Sequence, residues 1–214
     1  ISGICNTLEP YFPEVREVRS SAIVTRSLAG MKKLRGLQAT TRKRALSTDD
    51  LLSIITHFPS PPQHDDFLFA AMLLTGFHGL LRLGELTFPD NIRKRSAKKL
   101  TLRHTLAIQE TRFSFTLPFH KADHFFAGNT VMIEALPMSP IDPLFHLLRY
   151  LHSRDHLFPL LPMLWVTSDG TPSTYSWFVG RLKRHLGQDV AGHSLRSGGA
   201  TALALAGVPE SAIQ

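Results

Sequence analysis

The sequence predicts a mainly α-helical fold with a small antiparallel β-sheet, an α+β class. Apolar residues recur at helical spacing through most of the chain, capping residues stand ahead of several such runs, and only three short stretches alternate as strands do. With 214 residues and 43% hydrophobic content, the chain can bury one good core, or one core plus part of a second small domain. A net charge of +7 favours a polyanionic partner without identifying it. Cys5 is the single cysteine, so no internal disulfide can form and nothing points to an oxidising compartment. No apolar run reaches transmembrane length and no basic-then-apolar start reads as a signal peptide, so no membrane partner is expected.

From the N-terminus, Leu8 to Pro13 is a proline-bounded connection. Val18 to Leu37 follows as a helix with Ile23, Val24, Leu28, Met31 and Leu34 on its apolar stripe. Between Val18 and Thr48 the chain carries Arg19, Arg26, Lys32, Lys33, Arg35, Arg42, Lys43 and Arg44 with no acid. Solvated faces usually mix signs, so this segment is expected to track phosphates. Thr40 to Arg44 reads as a linker. Ser47-Thr48-Asp49-Asp50 then places hydroxyl and carboxylate groups at a helix start, ahead of Leu51 to Phe58. Pro59 to Pro62 breaks the chain, and Asp65-Asp66 opens a helix whose apolar residues, Phe67 to Leu74, occur on nearly every side. That pattern predicts a central buried helix.

This helix runs into Thr75-Gly76-Phe77-His78-Gly79-Leu80-Leu81-Arg82-Leu83-Gly84-Glu85-Leu86. Arg82, fenced by glycines and leucines, reads as a charge forced into an apolar neighbourhood, where it needs a partner. An ion pair with Glu85 and a functional role fit equally. Asn91 to Arg103 carries Arg93, Lys94, Arg95, Lys98, Lys99 and Arg103 without an acid, as a DNA-backbone contact or a solvated loop would. Leu100 to Gln109, Phe113 to Leu117 and Thr130 to Ile133 are the three strands expected. The last two flank a hairpin with His120, Lys121, Asp123 and His124, where a lone Lys is ordinarily a soluble tip.

Asp142-Pro143-Leu144 opens a helix through Arg154, with Leu144, Leu147, Leu148 and Leu151 inward. His152 and His156 are four apart, as are His120 and His124, but neither pair has a third ligand at an accepted interval, so no metal site is expected. Leu164-Trp165-Val166 is a short buried run and Asp169-Gly170 a turn. Thr174 to Leu186 is another helix, and Arg181, Lys183, Arg184 and His185 near its end suit either the helix dipole or DNA.

The stretch Gly192-His193-Ser194-Leu195-Arg196-Ser197-Gly198-Gly199-Ala200-Thr201 begins a helix of about 13 residues, closed by Gly207-Val208-Pro209. His193 and Arg196, three apart, project from one face at its start, a place suited to an anion. On spacing alone a solvated face is the commoner outcome. Gly198 and Gly199 let another backbone approach closely.

With its neighbours, this stretch resembles the second signature box of tyrosine recombinases, the phage-integrase superfamily. Gly79-Leu80-Leu81-Arg82-Leu83-Gly84-Glu85-Leu86 resembles the first, with Leu81 inserted, and the two lie about 110 residues apart in the family's order. His120-Lys121-Ala122-Asp123 followed by Gly128 resembles a Ser-Lys-Thr-Asp stretch of Crypton-type mobile-element recombinases of eukaryotes, His120 replacing a small polar residue. The resemblance spans about residues 18 to 214. It implies a tyrosine-recombinase catalytic-domain fold over 45–214, with the end of a helical core-binding domain and a basic linker over 1–44.

It further implies double-stranded DNA as partner, a homo-oligomer in synapsis, a nuclear location if the source is eukaryotic and the nucleoid otherwise. Arg82 and Arg196 would bind the scissile phosphate, Glu85 would orient the arginines, His193 would donate a hydrogen bond, and Lys121 would protonate the departing 5′ oxygen. Such chemistry uses no cofactor. Arg26, Lys32, Lys33, Arg35, Arg42, Lys43, Arg44, Arg93, Lys94, Arg95, Lys98 and Lys99 would contact the DNA backbone. The family's nucleophilic Tyr lies after the second box, whereas Tyr11, Tyr150 and Tyr175 all precede His193 and fit core or surface roles. By itself this chain is therefore expected not to cut DNA, as a truncation or a decayed copy. A domesticated DNA-binding protein and a helical protein-interaction scaffold remain the alternatives.

Overall fold

The computed structural model describes residues 2–36, 43–117 and 129–213. The hairpin tip with His120, Lys121, Asp123 and His124, and the linker residue Arg42, lie outside the described residues. Two compact units divide the chain, 1–42 and 43–214.

The first unit contains α1 (Ser2–Leu8), α2 (Val15–Ser20) and α3 (Ala22–Gly36). The single helix expected from Val18 is thus broken at Ser21, which leaves helical geometry with ψ at 149° while its N–H still caps α2 through Val18 O. Nothing in the local pattern marks that break. On α3, Val24 and Leu28 are half-buried but Ile23, Met31 and Leu34 are exposed, so the expected stripe is only partly covered. Arg26, Lys32, Lys33 and Arg35 all stand exposed.

The second unit opens with α4 (Thr48–Thr56), whose start is the capping box that its sequence encodes. Ser47 Oγ accepts from Asp50 N at 3.1 Å and Asp50 Oδ2 from Ser47 N at 2.8 Å. Burial works against the Asp50 carboxylate, but hydrogen bonds from Arg44 and Ser47 outweigh it and hold the carboxyl below its usual range. α5 (His64–His78) is the central helix: every residue from Leu68 to Phe77 is buried. Full burial of each large side chain contributes about 1.5–3 kcal/mol.

α5 packs on α7 (Pro143–Leu157), whose start has Asp142 at the cap and Pro143 in the first turn. Leu144, Leu147 and Leu151 face the core as expected, but Leu148 is exposed, because His146 with Leu147 and Tyr150 with Leu151 form the buried face on either side of it. α6 (Leu83–Leu86), α8 (Tyr175–Leu186), α9 (Gly192–Leu205) and α10 (Glu210–Ile213) complete the helices of the described residues.

The sheet is antiparallel in the order β1 (Ala107–Ile108), β2 (Arg112–Thr116), β3 (Thr130–Glu134), with Phe113 opposite Ile133 and Phe115 opposite Val131. Phe113, Phe115 and Ile133 form its buried face. The strand expected over Leu100 to Gln109 survives only as β1. Thr101 O and Arg103 N instead pair with Leu164 N and Pro162 O, both at 2.8 Å, and Arg103–Thr105 closes into a 3₁₀ turn. That pairing lies too far along the chain for alternation to reveal.

Two histidines meet one turn where α5 ends and α7 begins. His146 Nε2 donates to Pro140 O at 2.9 Å, and His78 lies against the Ile141 backbone. Burial lowers both imidazoles below 6.5, more strongly than these carbonyl contacts and Asp142 raise them. Below pH 6.5 the unfolded chain therefore takes up protons that the folded chain refuses. Their contribution is complete above 6.5 and is lost as pH falls through the window down to the lowered values. The melting temperature should fall between about pH 7 and 5, and less steeply in the His78→Gln/His146→Gln variant. An unchanged pH slope in that variant would refute the assignment.

Candidate anion-binding cleft

The cleft is built where α5 ends. Leu80 takes a positive φ of 51° after Gly79, and Leu81 N bonds back to Gly76 O at 2.9 Å, turning the chain sharply. Leu81 and Leu83 drop into the core at 3% and 2% exposure. Arg82, between them in extended geometry, must therefore point outward, and its side chain is 68% exposed. This corrects the expectation of a buried Arg82. Its leucine neighbours mark the apolar anchors on either side of it.

Glu85 caps this turn: its Oε2 accepts from Arg82 N at 2.8 Å, and its Oε1 lies 3.4 Å from the guanidinium. The Arg82–Glu85 ion pair is thus present, at a length and exposure that leave most of the guanidinium open.

α9 supplies the opposite wall. Ser194 Oγ accepts from Ala191 N at 3.0 Å to start the helix, and Ser194, Leu195, Gly198 and Gly199 face the core. His193, Arg196, Ser197 and Ala200 consequently face out. A Cβ on Gly198 would overlap Leu46 O, and one on Gly199 would overlap Phe77 O. The two glycines thus let α9 lie directly on the backbone of α5 and of the entry segment, bringing its outer face beside Arg82. α9 ends at Leu205, with Gly207 in the left-handed region at φ 83°, as its stop signals require.

Arg82, Leu83, Gly84, Tyr175, Gly192, His193, Arg196, Ser197 and Ala200 line a cleft of about 590 Å³. Stretches about 110 residues apart in sequence therefore meet in one site. No carboxylate is among the lining residues. The side chains of His193, Arg196 and Tyr175 make no hydrogen bond to the described protein, whereas Ser197 Oγ is engaged by His193 O at 3.0 Å. The cleft thus presents two guanidiniums and further hydrogen-bond donors with no anionic group among its lining residues, a composition suited to an anion.

Tyr175, for which the sequence offered a core or surface role, stands 41% exposed in the lining of the cleft. Its only sequence signal is its position directly after Thr174, the residue that caps α8 through Trp177 N at 3.3 Å.

Several basic residues are held by partners within their own unit. Lys43 Nζ donates to Gln188 O at 2.7 Å, and Arg44 bridges Asp50 and Asp189, so both pin the entry segment to its own unit. Arg95 Nε bonds Pro89 O at 2.9 Å with its guanidinium 5.4 Å from the Phe88 ring centroid, and Lys99 Nζ bonds Lys94 O at 2.7 Å. Arg181 pairs with Asp65 and Asp66. These side chains are engaged in the fold. Arg93 and Lys94 stand exposed on a 3₁₀ turn capped by Asn91, and Lys98 lies on the next turn, capped by Ser96. No cluster of three or more metal-ligating side chains occurs among the described residues.

The same fold occurs in solved recombinase structures. XerH site-specific recombinase bound to difH substrate, in a pre-cleavage complex, superimposes with a TM-score of 0.57 at 15% identity, over 81% of this chain and 46% of that one. A post-cleavage complex of XerH with palindromic difH substrate gives 0.52 at 16% identity, over 77% and 43%. XerA recombinase gives 0.56 at 18% identity, over 97% of this chain and 70% of that one. The chain thus spans less than half the length of the XerH chains it matches. No protein-family model and no curated protein sequence matches it.

Proposed function

We propose that this chain is the DNA-binding part of a tyrosine-type site-specific recombinase, with the cleft of Arg82, His193 and Arg196 holding one phosphate of the duplex. The observation that carries this reading is the convergence of two guanidiniums and an imidazole, from separate sequence stretches, on a cleft with no lining carboxylate. Shared fold with XerH and XerA supports it, as do the two boxes that supply these residues. In such a reaction a tyrosyl hydroxyl attacks phosphorus, a 5′ hydroxyl leaves, and a 3′-phosphotyrosyl bond conserves the energy for rejoining. Negative charge gathers on the phosphate oxygens during attack, and preplaced guanidinium donors stabilise it. Glu85 would position Arg82, and Lys121 would be the proton donor. The finer assignment is a Crypton-like mobile-element enzyme of DNA integration, acting as a homo-oligomer in the nucleus.

The testable core is the phosphate. Duplex DNA should bind with an affinity that falls linearly in log–log form as salt rises. Arg82→Ala and Arg196→Ala should each weaken binding for all sequences and reduce that slope by about one. Fluorescence anisotropy against salt reads both quantities. Unchanged slopes in both variants would remove the phosphate from the cleft.

A further inference from the structure

Tyr175 stands in the cleft as a further donor. We infer that its hydroxyl hydrogen-bonds a non-bridging oxygen of the same DNA phosphate, an inference that rests on the reading of the cleft given above.

Tyr175 differs from Tyr150, the other tyrosine of this unit. Tyr150 is fully buried, donates to Leu164 O at 2.7 Å and accepts from Val166 N at 2.8 Å. Its hydroxyl is occupied on both sides. Tyr175 is 41% exposed, lines the cleft, and gives its hydroxyl to no group of the described protein.

The ring is nevertheless held in place. Tyr175 N donates to Phe88 O at 3.3 Å and Phe88 N to Ser173 O at 2.8 Å, joining the start of α8 to the segment that leaves α6. Asp90 Oδ1 reinforces the join by accepting from Ser176 Oγ at 2.5 Å and Ser176 N at 3.2 Å. Tyr175, at the start of α8, is thus tied to the chain that leaves α6, and Arg82 stands at the cap of α6.

Gly192 provides the seat. A Cβ there would lie 2.6 Å from Tyr175 Oη, 2.9 Å from Tyr175 Cε2 and 2.9 Å from Leu83 Cδ2. Any other residue would push the phenol away from the first turn of α9, where the free N–H groups and Arg196 already favour an anion. A neutral donor fixed beside two guanidiniums adds a hydrogen bond and direction without adding charge.

That distinction sets the experiment. Tyr175→Phe and Arg196→Ala versions of this chain are titrated with labelled duplex DNA across salt from about 50 to about 200 mM, following anisotropy, with thermal melts alongside. Tyr175→Phe should bind roughly three- to tenfold more weakly at an unchanged salt slope, because a neutral group releases no counterion. Its melting temperature should match that of the parent, since the lost hydroxyl has no partner in the fold. Parental affinity in Tyr175→Phe, with a reduced slope in Arg196→Ala, would overturn the tyrosine contact and leave the cleft reading intact. Parental behaviour in both variants would overturn both. A lowered melting temperature for Tyr175→Phe would give the hydroxyl a role inside the fold and also count against the contact.

Discussion

Gly199→Ala should destabilise the second unit by about 3 kcal/mol, lowering its melting temperature by roughly 6–12 °C. The added methyl would overlap Phe77 O, a backbone atom in the last turn of α5, with Leu80 Cδ2 only 2.7 Å away. No rotamer change can relieve contact with a backbone carbonyl, so α9 must move away from α5. Alanine is the better helix former by about 1 kcal/mol, which offsets only part of this. The comparison that isolates packing is Gly180→Ala on α8, where a new Cβ meets nothing within 4 Å. There the propensity term acts alone, and stability should rise by up to about 1 kcal/mol. One substitution, Gly to Ala inside a helix, thus takes opposite signs at two positions. Paired thermal melts decide the matter: equal shifts at both sites would mean that α9 does not depend on the glycine contact. Since Arg196 and His193 ride on α9 while Arg82 belongs to the chain leaving α5, the same movement should also weaken the salt slope of DNA binding.

What could be read from the sequence follows the range over which each signal acts. The Ser47–Asp50 capping box, the all-round apolar α5, the Asp142-Pro143 start of α7 and the glycine stop of α9 are determined within a few residues, and all are present. The pairing of Arg82 with His193 and Arg196 came from two recognisable boxes, because no local pattern links residues so far apart. Elements whose hydrogen bonds are non-local depart from the local pattern. Leu100 to Leu106 alternates like a strand but takes its partners from Pro162 to Leu164. Arg82 sits among leucines, and only the turn at Leu80 reveals that it faces outward. Tyr175 belongs to the cleft because Gly192, 17 positions later (192 − 175), leaves it room. A glycine read along the chain does not say whose ring it accommodates.

Arg154→Met should destabilise the second unit by about 2–6 kcal/mol, the cost of leaving two buried carbonyls without their donor. The sequence marks Arg154 only as the end of a helix, yet it is 1% exposed and the largest fully buried side chain among the described residues. Its Nη1 donates to Asp155 Oδ1 at 2.7 Å, and its Nη2 donates to Leu161 O and, at 2.7 Å, to Met163 O. The segment from Phe158 to Met163 is irregular, and its Leu161 and Met163 carbonyls, which take no backbone donor, are met by the guanidinium fork instead. Methionine keeps most of the length and apolar stem but leaves those two carbonyls buried without a donor, at about 1–3 kcal/mol each. Asp155→Asn should be far milder. Asp155 is 41% exposed, and Arg103 remains beside it at 2.9 Å. Thermal melts of the two variants separate the accounts. A loss for Arg154→Met no larger than for Asp155→Asn would mean that the ion pair alone matters. A much larger one would identify the carbonyl contacts as what fixes the return to Leu164, whose N–H bonds Thr101 O. Through that bond the buried arginine also anchors the far end of the exposed basic turns carrying Arg93, Lys94 and Lys98, so DNA affinity should fall with stability.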